Sequence, residues 1–421
     1  MSQLLVQSVL VNMKAYGITL LCLLWAHANA ANGEKLSLSN VMEQAIKNYP
    51  EVEAMRARVS QAEARRQAAP SLPPPMVSVG SMGSNGPFSD LMENSIEVRQ
   101  VVPFPTKLTA ESQQRTSELK AAEELLQSRI LAIRAETKTA YLELYRAREQ
   151  IHLLEEKLRT FEAHSKRIGS LTLSDRITQT HIIRIQTEIE LARNEIERAQ
   201  QQAKVSAGIL NVLMGQDPAL ALPELEEPPI PELPQPMARN HKDEPITQHP
   251  QIRALFASSD ALRMGLSRAH SDWLPDFSLR YRYNRRYDGV MPNNSEVMLG
   301  VDLPFLFFWQ PKGKSAEAQA QLDEAQSKTR QTENELKLQI LRARTEATSL
   351  HTQMLNFKNL ILPQALKRMK IAHSITPTDM ESLNEHRESM ESYISLQLAA
   401  LNTRVEYGKS IAMLESLGGY K

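Results

Sequence analysis

Arg280, Arg282 and Arg286 stand at the even positions of a run whose odd positions are Phe277, Leu279, Tyr281 and Tyr283. Side chains alternate faces along a strand, so this spacing makes one apolar face and one cationic face. After the turn-rich stretch Asp288 to Asn294, Val297, Leu299, Val301 and Leu303 alternate with Glu296, Met298, Gly300 and Asp302. The two runs read as a hairpin with arms of roughly ten residues. Tilted arms of that length cross a bilayer, with apolar side chains outward and polar ones inward; an isolated hairpin of this kind also fits a soluble sandwich. An earlier stretch repeats the pattern, with Glu97 and Arg99 between Ile96, Val98 and Val102. The chemistry of such a polar face is electrostatic: Arg99, Arg280, Arg282 and Arg286 with Glu97, Glu296 and Asp302 either tune ion passage or simply wet a barrel interior. Met76, Met82 and Met298 fall on the same face; thioethers suit Cu(I), and they also serve as packing filler.

Covalent chemistry has no comparable signature. The chain shows no Gly-rich phosphate loop, no metal-ligand pair at helical spacing and no serine in a nucleophile elbow. No catalytic residue, cofactor or resident metal is expected, and the chain is not read as an enzyme. His152, His164 and His181 lie on helical stretches and read as solvated or seam residues. Lys and Arg number 49 and so do Asp and Glu, which argues against a general nucleic-acid binder. Two aspartates, Asp175 and Asp379, stand at breaks between long helical patterns. Carboxylates gathered there would attract cations and gate a passage, or would cap the helices that follow. Phe305, Phe307, Phe308 and Trp309 follow the last strand run, as an interfacial aromatic girdle or a buried cluster.

The elements that position these residues begin with an address. Residues 1–30 read as a secretory signal: Lys14, an apolar stretch Ala15 to Trp25, and the small-residue site Ala28-Asn29-Ala30. Translation beginning at Met1 or at Met13 is left open. The single cysteine, Cys22, follows Leu21 rather than a small residue, which argues against lipidation, and it falls inside the signal. Beyond it no apolar run approaches the ~20 residues of a spanning helix. A membrane location would therefore rest on strands, and in a Gram-negative cell on the outer membrane.

The order of the chain suggests a duplication. Pro50 to Gly80 aligns with Pro250 to Arg280 without a gap, through Ala54 and Ala254, Ala69 and Ala269, Ser71 and Ser271, Pro75 and Pro275; Pro103-Phe104 then aligns with Pro304-Phe305. The expected repeats are 31–215 and 246–421, joined by a Pro/Glu-rich linker over 216–245. The first opens with a helix over Leu38 to Ala69, with Ser39 as its N-cap, and strands at about 76–82 and 95–102. A helix from about Thr106 to Lys166 and a return helix from about Ser174 to Leu213 follow, closing at Gly215. The second repeats this from Pro245, with strands at about 275–287 and 295–303 and a helix over Lys314 to Ile371 that Pro363 should kink, or in which it should mark a joint. Apolar positions of the long helices step by 3 and 4, and about 60 residues at 1.5 Å each give roughly 90 Å. An ordinary antiparallel coiled coil has the same periodicity.

These features together resemble the TolC-type outer-membrane efflux family. The resemblance is carried by the repeated helix–hairpin–helix order, Val98 to Leu108 (VRQVVPFPTKL), Val301-Asp302-Leu303-Pro304-Phe305, the break from Gly169 to Asp175, and the Leu-Met-Gly ending of the first half. It implies a mainly α chain with a small β part: long helices forming a periplasmic α-barrel, and four strands per chain in a homotrimeric, twelve-stranded outer-membrane β-barrel. It also implies a passive duct working with a periplasmic adaptor and an inner-membrane pump. The Pro103-Phe104-Pro105-Thr106-Lys107 and Leu303-Pro304-Phe305 phrases look most like the heavy-metal branch, which works with RND-type pumps. Gly169, Leu171, Ser174 and Asp175 match the family's helix-turn-helix tip, which closes the tunnel and meets the adaptor. Asp379 falls where Asp175 does, although His373 and Ser374 stand near where glycine is expected. A type I protein secretion duct and a periplasmic coiled-coil protein without a pore are the competing readings.

Overall fold

The computed structural model describes residues 35–83, 91–169, 176–233, 244–286, 292–307, 309–374 and 380–417. The expected signal, residues 1–30, lies outside them. The described chain runs α1 (Leu38–Asn48), α2 (Pro50–Ala68), β1 (Met76–Gly83), β2 (Leu91–Val102), α3 (Pro105–Gly169) and α4 (Arg176–Leu213). It continues with α5 (Glu244–Thr247), α6 (Pro250–Ser271), β3 (Asp276–Arg286), β4 (Asn294–Asp302), a 3₁₀ turn (Pro304–Phe307) and α7 (Trp309–Asn356). A π turn (Phe357–Ile361), α8 (Leu362–Ser374) and α9 (Met380–Ser416) complete it. No described helix is long and apolar enough to cross a membrane. The chain divides into two compact units: 53–129 with 239–338, and 1–52 with 130–238 and 339–421.

Proline placement explains several boundaries. The helix expected over Leu38 to Ala69 is broken at Tyr49, which is extended (φ −67°, ψ 123°). A residue before proline is pushed out of the helical region, and Pro50 then suits a first helical turn. His249 before Pro250 does the same (φ −63°, ψ 130°), splitting the helix expected from Pro245; its Nδ1 accepts from Gln251 N–H. The N-cap of α1 is Ser37 rather than Ser39: Ser37 Oγ accepts from Asn40 N–H, while Ser39 lies inside the helix. The second long helix begins at Trp309, earlier than expected, and passes through the π turn just ahead of Pro363. A proline inside a helix removes one hydrogen bond and crowds the preceding turn, and a wider turn relieves that.

In the unit holding residues 130–238, the seam of α3 is buried at Ile133, Ala140, Leu144, Ala147, Leu154 and Phe161. Those steps are combinations of 3, 4 and 7, the pattern of a helix packed along one stripe. Ile185, Ile189 and Ala192 of α4 pack on Phe161. Each proline of the segment after α4 has a carbonyl but no N–H, so the backbone there holds more acceptors than donors and takes donors from side chains. They come from the helices. Arg148 donates to Pro223 and Leu222 carbonyls at 2.6 and 3.0 Å, and Arg404 to Pro228 O at 2.9 Å. The Tyr407 hydroxyl donates to Pro231 O at 2.9 Å and Asn211 to Leu220 O at 2.8 Å. Leu36 and Leu225 form an isolated parallel bridge beneath Tyr141.

Gly215 ends α4 as expected. Its φ is +71°, and a Cβ there would lie 2.8 Å from the carbonyl oxygen of Asn48. The left-handed conformation costs a non-glycine residue about 1–2 kcal/mol, and a backbone atom cannot swing aside as a side chain can. Gly215→Ala is expected to destabilise by about 2–3 kcal/mol. Gly215→Asn is expected to fare no better, because it carries the same Cβ. Circular-dichroism melts of the two variants test this; an unchanged midpoint in either would refute it.

Candidate functional site: the polar face of the sheet

The strands form one antiparallel sheet in the order β1-β2-β3-β4. Pairing of β2 with β3 sets Val98 opposite Tyr281, Ile96 opposite Tyr283 and Val102 opposite Phe277. Pairing of β1 with β2 and of β3 with β4 adds Val77, Val79, Val297, Leu299 and Val301 to that face. It is exposed: Val79 is 79%, Val297 69% and Leu299 83% accessible. A contiguous apolar surface on this scale marks a place that water does not cover in use.

The opposite face is ordered in rows. One reads Met76, Arg99, Arg280, Met298; the next Ser78, Glu97, Arg282, Glu296. Glu97 is the hub. Its carboxylate meets Arg282 at 2.7 Å, Arg280 at 3.1 Å and Arg99 at 3.2 Å, with its side chain only 12% accessible. One carboxylate holding three guanidiniums leaves the cluster with a positive surplus. Glu296 accepts from Asn294 at 3.3 Å, and Asp302 faces Asp276 at the end of the β3–β4 ladder. Arg286 is the last residue of β3, and its side chain lies outside the described residues. Of the expected polar residues, the structure therefore joins Arg99, Arg280 and Arg282 in one cluster, with Glu296 beside it and Asp302 apart from it.

The base of the sheet carries an anchor that sequence reasoning did not assign. Between Pro103 and Pro105 the only N–H belongs to Phe104, and it donates to Asp276 Oδ1 at 2.9 Å. Lys107 Nζ meets the same oxygen at 2.8 Å and the Leu274 carbonyl at 3.0 Å. The Phe104 and Phe277 rings stack with centroids 6.5 Å apart. Lys107 stood in the phrase that carried the resemblance, but its acidic partner is 169 residues away. Lys107→Ala leaves Asp276 with one of its two partners, and is expected to cost about 1–3 kcal/mol. A Lys107→Ala/Asp276→Ala cycle measures the coupling; strictly additive losses would remove the anchor.

The other expected sites are placed as follows. Phe305, in the 3₁₀ turn, and Trp309, at the start of α7, are both exposed. Phe308 and the Phe307 side chain lie outside the described residues, as do Leu171, Ser174, Asp175 and Asp379. Gly169 is the last residue of α3.

Residues 41–216 match the family described as "Outer membrane efflux protein". No curated protein sequence matches the chain. Solved structures resemble nearly all of it at low identity. CusC, described for conformational changes accompanying folding and transmembrane channel formation, is 15% identical with a TM-score of 0.75, covering 91% of this chain and 92% of its own. The open state of the Neisseria gonorrhoeae MtrE outer membrane channel is 12% identical with a TM-score of 0.77, covering 91% and 89%. The Campylobacter jejuni CmeC outer membrane channel is 15% identical with a TM-score of 0.74, covering 91% and 86%. This chain therefore has the fold of the TolC-type outer-membrane factors and, across residues 41–216, the sequence pattern of the outer membrane efflux protein family.

Proposed function

We propose that this chain is the outer-membrane channel of a tripartite efflux system, a passive duct from the periplasm to the outside. The observation that carries the reading is the four-stranded sheet, with one exposed apolar face, one charged face, and no partner strand in the described chain beyond β1 or β4. In lipid an open sheet edge leaves backbone groups unsatisfied, so the sheet needs other copies of itself to close. Three copies supply twelve strands. The apolar face then meets lipid, and the rows built on Glu97 line the lumen. Phe305, Phe307, Phe308 and Trp309 sit at the periplasmic border of the lipid. Gly169, Leu171, Ser174, Asp175 and Asp379 form the tip that gates the tunnel and meets a periplasmic adaptor. The partner pump is of the RND type and the cargo metal cations, supported by the phrases around Pro103 and Pro304. The test is the mass of the detergent-extracted protein by light scattering, then single-channel conductance in a planar bilayer. A trimer whose conductance responds to Asp175→Asn or Asp379→Asn is expected. A monomer that needs no detergent would overturn the duct, and a conducting trimer indifferent to both substitutions would return the aspartates to helix capping.

A further inference from the structure

Near the C-terminal end of α8, His373 Nδ1 lies 2.7 Å from Nε2 of His386 on α9, with ring centroids 4.9 Å apart and planes inclined by 36°. Two imidazoles from two helices thus face each other nitrogen to nitrogen. Two arginines on the same helices are already engaged. Arg368 is bound to Glu385 at 2.9 Å, and Arg387 to Glu391 at 2.7 Å. Neither guanidinium is therefore an uncompensated cation beside the rings.

We infer that His373 and His386 form a two-histidine site for a borderline divalent metal ion of the Zn²⁺, Cu²⁺ or Ni²⁺ class, clipping α8 to α9. Imidazole nitrogen is the ligand these ions take most readily from protein. In the neutral pair one ring N–H donates to the other ring. That proton moves to its own ring's second nitrogen, and both facing nitrogens then offer lone pairs with no net loss of a proton. Zinc–nitrogen bonds of ~2.0–2.1 Å in a tetrahedral arrangement set the nitrogens roughly 3.3 Å apart, so the facing nitrogens part by about 0.6 Å and each ring turns until its lone pair points at the ion. Among the described residues no group of three or more His, Cys, Asp or Glu is arranged to hold a metal. Water completes the coordination, and the site is open and exchangeable rather than a structural cage. The inference stands on the histidine geometry alone and does not depend on the duct.

The experiment uses the detergent-solubilised full chain without a polyhistidine tag. Calorimetric titration with ZnCl₂ is expected to show a site that His373→Gln or His386→Gln weakens tenfold or more. Cu²⁺ electron paramagnetic resonance at one equivalent should carry hyperfine structure from two imidazole nitrogens in the parent, and from at most one in either variant. Hydrogen exchange should slow on adding Zn²⁺ at residues 368–374 and 380–390 of the parent only. Both side chains lie at the surface, and circular dichroism of each variant confirms that it folds as the parent does. A Zn²⁺ isotherm that the double variant leaves unchanged, or Cu²⁺ spectra that keep two nitrogens in both single variants, would overturn the site.

Discussion

Replacing Glu97 by Gln is expected to shift the channel towards anions. The substitution keeps the side chain's shape and removes the carboxylate that contacts Arg99, Arg280 and Arg282 together. Each chain gains one positive charge on the face assigned to the lumen. In water, a unit charge about 10 Å from a permeating monovalent ion is worth roughly 0.4 kcal/mol, about a twofold change in relative occupancy, and three copies around one pore compound it. Salt screens the effect, since the Debye length falls from about 30 Å at 0.01 M to 3 Å at 1 M, so the reversal potential in a KCl gradient should move most at low salt. The lost charge-assisted hydrogen bonds cost about 1.5–3 kcal/mol of local stability. Adding Arg282→Gln to the variant restores the charge balance and should return the selectivity. An unchanged reversal potential at low salt would mean that this face does not line the conducting path.

The sheet that carries Glu97 was legible because alternation in a strand is a local property. Phe277 to Arg286 states its two faces in its own letters, and the observed β3 ends within a residue or two of the expected strand. The long helices were legible for the same reason, with boundaries falling where Pro105 and Gly215 place them. Pairing between distant segments was not. Nothing in the spacing of Lys107 says that its partner is Asp276, and an acid in a Leu-Pro-Asp-Phe phrase reads as an ordinary strand start. The hub role of Glu97 was hidden in the same way. Strand alternation placed it on the polar face, but only the β2–β3 register brings Arg282 opposite it and Arg280 beside it. Pro363 announced a kink or a joint in its helix, and the backbone widens into a π turn just ahead of it. Tyr49 and His249, each before a proline, could have signalled the two helix breaks, since the steric rule that moves them out of the helical region is local.

The same division holds for the linker, and Tyr141 gives the largest expected loss of stability. A proline-rich segment is legible as extended; how it is held is not. Tyr141 is fully buried among Val41, Leu144, Leu210 and Met214. Its one hydroxyl hydrogen is shared between the carbonyls of Leu36, at 2.8 Å, and Glu226, at 2.6 Å, which flank the Leu36–Leu225 bridge. Tyr141→Ala removes a large core side chain, at about 3–5 kcal/mol, and leaves a carbonyl short of its donor. Tyr141→Phe keeps the ring and should cost about 1–3 kcal/mol. The two variants separate packing from the hydrogen bond: an Ala variant no weaker than the Phe variant would show that the ring is not packed as described. Alkaline pH gives an independent reading. Burial, with the Glu226 carboxylate adding to it, pushes the Tyr141 hydroxyl up to about 12. An unfolded tyrosine ionises near 10, so between about pH 10 and 12 the folded chain holds a proton that the unfolded chain has lost. That contribution is complete below pH 10 and fades as pH rises towards 12. The melting temperature of the parent should fall more steeply over this window than that of Tyr141→Phe, because groups common to both cancel in the difference. Parallel curves for the two proteins would place the hydroxyl in water.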